Sequence, residues 1–230
     1  MIFFGKPKKQ KNNKKIKKGK KFFALFLSTF LVIVFAAMQV LEITRGDYQT
    51  GSHTDSVTLT TTVAEVISLD CGADVNFGTL TPATPVTGSS TCTVTTNANG
   101  GYNLKVKRDN SDYTMKHSAF GTNGAYITDK TAWDPTGSGN AAVWGTTGLG
   151  FTLYSSTATK STTWWGAGTT ETDAANKYAG MPLAYANVMI HTAYSSGSTT
   201  NSIGYKLDVP TTQRSGVYSG SVTYQVTTTP

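Results

Sequence analysis

Apolar side chains recur at every second position in five separate segments, and that spacing leaves little room for anything but β-structure. Val57, Leu59, Thr61 and Val63 point one way along VTLTTTVAEV, Cys92 and Val94 do so in TCTVTT, and Tyr102, Leu104 and Val106 in YNLKVK. Near the end, Ile203, Tyr205, Leu207 and Val209 alternate with Gly204, Lys206 and Asp208, and Val222, Tyr224 and Val226 alternate with Ser221, Thr223 and Gln225. A strand places successive side chains on opposite faces, so each segment has one apolar and one polar face. Half-buried strands of this kind form antiparallel sheets. A sheet with one apolar face needs a second layer to cover it, and the expected product is a β-sandwich.

Turn chemistry marks the connections. Asn97, Asn99, Gly100 and Gly101, between the second and third segments, supply the positive φ that a tight hairpin needs. Between the last two segments runs PTTQRSGVYSG, where Pro210 cannot continue a central ladder and Gly216 and Gly220 permit the return. Thr, Ser and Gly dominate the chain beyond residue 57 while charged residues are few, and β-branched Thr is at ease on a pleated surface. Residues 108–200 are less regular. They hold all four tryptophans (Trp133, Trp144, Trp164, Trp165), strand-like stretches at 150–154 and 187–191, and some helical spacing at 171–178. No shift in composition sets them apart, so residues 57–230 read as one all-β domain, an antiparallel Ig-like or jelly-roll-like sandwich with decorated middle loops.

The front of the chain is different. Ten of residues 1–21 are lysine and none is acidic, and residues 22–41 (FFALFLSTFLVIVFAAMQVL) carry no charge at all. Lysines resist crossing a bilayer, whereas a twenty-residue helix at ~1.5 Å per residue covers roughly the 30 Å of hydrocarbon. Residues 1–21 are therefore expected to be a cytoplasmic tail, 22–41 a signal-anchor or transmembrane helix, and 42–56 a polar spacer. Cleavage is the rival reading, with Val34 and Ala36 as small residues before a cut; Gly19 ahead of an apolar helix also echoes type IV prepilins, although Ala24 stands where those carry an acid. Everything beyond the helix is expected outside the cytoplasm. The formal net charge of +7 belongs to the tail, because residues 22–230 carry ten Lys or Arg against thirteen Asp or Glu. The tail reads as a positive-inside flank against anionic lipid, and the mildly acidic remainder offers no face for nucleic acid.

Two cysteines, Cys71 and Cys92, are the only ones present, and an oxidising compartment would join them. A bridge of that loop size stabilises a domain by about 3 kcal/mol in the chain-entropy treatment. No HExxH pair, GxSxG elbow, phosphate-binding loop or dinucleotide glycine pattern occurs, and His53, His117 and His191 are scattered, so neither an enzyme nor a cofactor is expected. Asp109, Asn110, Ser111 and Asp112 concentrate oxygen atoms as loop calcium sites do, but they are too few for the six to eight that calcium takes. Tyr154, Trp164, Trp165 and Tyr178 are candidates for an aromatic platform for sugar rings, set against ordinary core filling. Because neighbours on a strand face opposite ways, one of Trp164 and Trp165 is expected to point outward.

The order of these pieces, an export helix, TVAEVISLDCGADVNFGTLTP, TVTTNANGGYNLKV, an aromatic middle and YKLDVPTTQRSGVYSGSVTYQVT, resembles the bacterial surface sandwiches typified by WxL-domain proteins. It is similar, more distantly, to spore coat U and fimbrial-subunit sandwiches. The likeness covers roughly residues 57–107 and 200–230 and is one of layout: Tyr224, Gln225 and Val226 stand where Trp-x-Leu belongs, and Trp144 is followed by Gly145 and Thr146. It implies a surface role, with cell-wall glycan or surface proteins as partners. Three functions follow as expectations: a structural or adhesive surface protein, a carbohydrate-binding module, or a pilus-like subunit that polymerises by strand sharing.

Overall fold

The structure, a computed structural model, describes residues 54–229, and from Thr62 onward the chain forms one compact unit. The tail, the expected helix at 22–41 and the spacer up to residue 53 lie outside the described residues.

The strands, in chain order, are β1 (Ile67–Cys71), β2 (Val86–Thr96), β3 (Tyr102–Arg108), β4 (Met115–His117), β5 (Gly121–Ile127), β6 (Ala142–Val143), β7 (Gly148–Ser156), β8 (Lys177–Tyr178), β9 (Ala186–His191), β10 (Ser198–Asp208), β11 (Tyr218–Ser219) and β12 (Val222–Thr228); one short helix, α1 (Thr162–Trp165), lies between β7 and β8. Two sheets, ordered β1-β2-β10-β7 and β12-β3-β9, make the body, and smaller sheets β11-β4-β5 and β6-β8 flank it. Every ladder between named strands is antiparallel.

The two larger sheets share one core. Cys92, Val94, Phe151, Leu153, Ile203 and Tyr205 come to it from the first sheet, and Tyr102, Leu104, Val106, Val188 and Met189 from the second. Alternation read from the sequence holds in β2, β3 and β10, whose apolar positions are buried while Thr93, Lys105 and Lys206 between them are not. One polar group is built into the core. Asn201, fully buried on β10, donates from Nδ2 to the Tyr102 hydroxyl at 3.1 Å and accepts from Ser156 Oγ at 2.9 Å, tying the first sheet to the second.

Three expectations are corrected. The segment at 57–66 forms no strand, and Val57, Leu59, Val63 and Val66 are 81, 89, 77 and 65 % exposed. The cause is a lack of partner: Ile67 pairs with Thr96, the last residue of β2, so the ladder has nothing left to run along. Asn97 then closes it, its side chain accepting from Val66 N at 2.7 Å and donating to Ala64 O at 2.9 Å.

The Asn/Gly turn is not a hairpin. It carries the chain from the first sheet across to the second, because Ala98 and Tyr102 on either side of it are fully buried and draw the chain over the core. Gly101 has φ 82°, as turn chemistry requires, and a Cβ there would stand 2.1 Å from the His191 carbonyl oxygen. β10 and β12 likewise belong to opposite sheets. Finally, residues 171–178 are turns leading into β8, and the one helical turn falls at α1 instead, capped by the Ser161 side chain, which accepts from Trp164 N.

Gly101→Ala should destabilise the domain by more than about 1 kcal/mol, because both the backbone region and the space are closed to a methyl group. Asn201→Ala should cost about 1–3 kcal/mol by stranding the Tyr102 and Ser156 hydroxyls. Urea unfolding of the two variants against the parent measures both.

Candidate functional site

The four aromatic residues of the expected platform do not come together. Trp165, on α1, is fully buried: its ring lies 5.1 Å from Phe151 and 4.3 Å from Trp133, and its Nε1 donates to Val188 O at 2.8 Å. Trp164 is partly exposed and packs edge-on against Trp133 at 5.3 Å. The expected inward and outward pair is present, but through the rotation of a helical turn rather than the pleat of a strand. Tyr178 is 5 % exposed and meets Trp144 edge-on at 5.3 Å, while Tyr154 lies against Gly204. No two of the four stack on one another. Trp133 and Trp165 instead donate to the backbone of β9, at Asn187 O and Val188 O, and close the margin of the core between β7 and β9. β7 is covered on its outer side as well, where Lys130, Tyr178 and Trp144 would stand 3.0, 3.1 and 3.2 Å from a Cβ at Gly150.

The oxygens at 109–112 do not converge either. Asp109 Oδ1 accepts from Thr223 Oγ1 at 2.6 Å, Asp112 Oδ2 lies 3.7 Å from Lys116 Nζ, and the carbonyls of Asn110 and Ser111 each accept from Arg108 at 3.1 Å. The loop is wrapped around Arg108, whose guanidinium also reaches Asp129 Oδ2 at 3.4 Å. Burial pushes the Asp129 carboxyl above the usual range, against hydrogen bonds from Thr114 and the nearby Arg108, which lower it. Among the described residues no three His, Cys, Asp or Glu side chains group as a metal site would require. Cys71 and Cys92 are joined, as expected, directly opposite each other on β1 and β2.

What the sequence did not disclose is a slit along the other margin, where β1 and β12 run side by side as the free edges of the two sheets. A cavity of about 540 Å³ opens there, walled by Cys71 of β1 and by Val222 and Tyr224 of β12, and a second of about 580 Å³, lined by no residue of either strand, shares Val75, Phe77, Met115 and Tyr218 with it. Ile67 and Leu69 of β1, Val75 and Phe77 beyond it, and Val222, Tyr224 and Val226 of β12 all pack on the core without being buried by it. Inside the slit the hydroxyls of Tyr205 and Tyr224 lie 2.7 Å apart, one on each sheet. Burial pushes Tyr205 up to about 12 and Tyr224 well above its ordinary value.

A third surface is the outer face of the β1-β2-β10-β7 sheet. Thr91, Thr93 and Thr95 stand opposite Ser202, Thr200 and Ser198, with Ser68 beside Thr95. Strands ~4.8 Å apart set these groups in rows. Between Asp70 at one margin and Lys206 at the far end of β10 the rows carry hydroxyls and no charge.

Trp165→Ala should cost about 3–5 kcal/mol, as truncation of a buried indole does, and Trp164→Ala much less, in denaturant unfolding. Alkaline titration of tyrosinate absorbance should show Tyr205 ionising near pH 12. Its folded pKa exceeds the unfolded value of 10.0, so the stability it contributes is complete below pH 10 and is lost as pH rises towards 12. No protein-family model matches the chain, and no curated protein and no solved structure does.

Proposed function

We propose that this is a non-enzymatic structural or adhesive protein of the cell surface, held at the membrane by residues 22–41 or released after cleavage, which displays a Ser/Thr-covered sandwich of Ig-like or jelly-roll-like type. The observation that carries this reading is the broad uncharged hydroxyl face. Such a face hydrogen-bonds to neutral hydroxylated polymers and to protein backbone without asking for a counter-charge, which suits adhesion to wall glycan or to neighbouring surface proteins. The Cys71–Cys92 bridge supports an oxidising location. The layout shared with WxL-type surface sandwiches points the same way. Asp129 is tied to Arg108 and Thr114, and Lys160 donates to the Tyr154 carbonyl, structural contacts that favour a non-catalytic role. A sugar-binding role through paired tryptophans loses support, because Trp165 is inside the core.

Fractionation tests the reading. The domain should be recovered with membranes or in the medium, digested by protease added to intact cells, and carry its bridge without added oxidant. The mass of the mature protein separates the anchored from the cleaved form. Protein confined to the cytosol and shielded from external protease would overturn the proposal.

A further inference from the structure

The cavity of about 580 Å³ has a dry floor and a firmly held side. Ile127 of β5, Leu207 near the end of β10 and Val209 just beyond it are buried, and Phe77, Leu80 and Met115 continue the apolar wall. The opposite side is the connection between β10 and β11, residues 209–217, which is pinned from several directions. Gln213 N donates to Pro210 O at 2.9 Å, and Gln213 Nε2 donates to Tyr126 O at 3.1 Å and to the Tyr218 hydroxyl at 2.8 Å. That hydroxyl donates in turn to Arg214 O at 2.7 Å, and Ser118 N donates to Val217 O at 2.9 Å. His117 accepts from Ala119 N at Nδ1, so its Nε2 carries the proton and donates to Ser215 O at 3.2 Å. A wall tied down in this way is ordered before any ligand arrives, which lowers the entropic cost of binding one.

One charge stands at the rim of this apolar space. Arg214 is the only charged side chain in the lining, and it is exposed. Its guanidinium lies 3.8 Å from the centre of the Phe120 ring, a stack that fixes the plane of the group and leaves its N–H edges available. Among the described residues no carboxylate lies within salt-bridge distance of it. Asp208, between Leu207 and Val209, is turned by the alternation of the strand to the other face and lines no part of the cavity. A guanidinium that is oriented but unanswered, beside a dry apolar floor, is the complement of an anionic head on an apolar tail.

We propose that this cavity binds a fatty carboxylate, its tail laid on Ile127, Leu207 and Val209 and its head paired with Arg214. Volume sets the tail. At the ~30 Å³ that a water-sized group occupies, 580 Å³ takes fewer than about twenty such groups, so a chain of about twelve carbons fits with room to spare. Charge sets the head. One guanidinium balances the single charge of a carboxylate and offers parallel N–H bonds to its two oxygens. A phosphate monoester carries about −1.5 to −2 and would leave part of its charge unanswered beside apolar walls. The site is independent of the surface role proposed above, and neither needs the other.

The test uses the full-length chain in phosphatidylcholine vesicles and a dodecanoate that carries a photoactivatable diazirine on its tail, with the points of attachment read by mass spectrometry. Attachment should saturate and fall on residues 75–82, 115–127 and 207–218. Unlabelled dodecanoate should compete at least ~tenfold better than dodecyltrimethylammonium, which has the same tail and the opposite charge. Arg214→Gln, which keeps much of the stem over Phe120, should erase that preference, and Arg214→Glu should invert it. Thermal unfolding of both variants should stay close to that of the parent, because the side chain is exposed. The proposal is overturned if attachment does not saturate, if it falls on other segments, or if competition in the parent is indifferent to the charge of the head. It is also overturned if the order of competitors is unchanged in Arg214→Glu. Stronger competition by dodecyl phosphate than by dodecanoate would overturn the assignment of a carboxylate.

Discussion

Each of the two large sheets has a single apolar face, and neither face can leave water except against the other. Everything else in the domain is subordinate to that mutual burial. It explains why β2 and β3, adjacent in sequence and joined by a turn suited to a hairpin, part company and lie on opposite layers. It also gives the buried amide of Asn201 a partner, Tyr102, on the opposite layer. A buried amide with all its partners in place costs little; with one missing it costs far more, so this contact favours a single alignment of the sheets.

A sandwich of two short sheets must still close its sides. On one side the tryptophan-rich middle of the chain does so, and the indoles that resemble a sugar platform are spent on this closure, their N–H groups stitching the insertion to the backbone of β9. On the other side, among the described residues, partly buried side chains of β1 and β12, the Tyr205–Tyr224 hydroxyl contact and the bridge between Cys71 and Cys92 take the place of such a seal. The disulfide holds β1 to β2 at the margin least supported by packing.

Much of this was legible in the residues. Alternation located β2, β3, β10 and β12 and named their inward side chains, because a period of two specifies which face is dry whatever the partner. For the same reason it failed at 57–66: periodicity states what a segment would bury and says nothing about whether β2 extends far enough to pair with it. Asn and Gly at 97–101 correctly announced a positive φ, but dihedral angles do not say to which layer the chain goes next. β7 hides its alternation because Trp144, Tyr178 and Lys130 cover its outer side, so Gly150 and Thr152 are as dry as Phe151 and Leu153. The oxygens at 109–112 look available because nothing in the sequence says that Arg108, next in the inward series Tyr102, Leu104 and Val106, turns back to take two of the carbonyls that follow it. The slit depends on strand order, and two of the pairings that set it, β2 with β10 and β3 with β12, join residues over a hundred positions apart.

The hydroxyl face has a consequence for the medium in which the domain works. Surfaces that bind through lysine or carboxylate trade ions with their surroundings, so their grip loosens as salt rises. Rows of Thr and Ser hold their hydration layer by hydrogen bonds and release no ions when that layer is displaced. A contact made through Thr200, Ser202 and their neighbours should therefore depend little on salt, which is what the proposed surface role would call for.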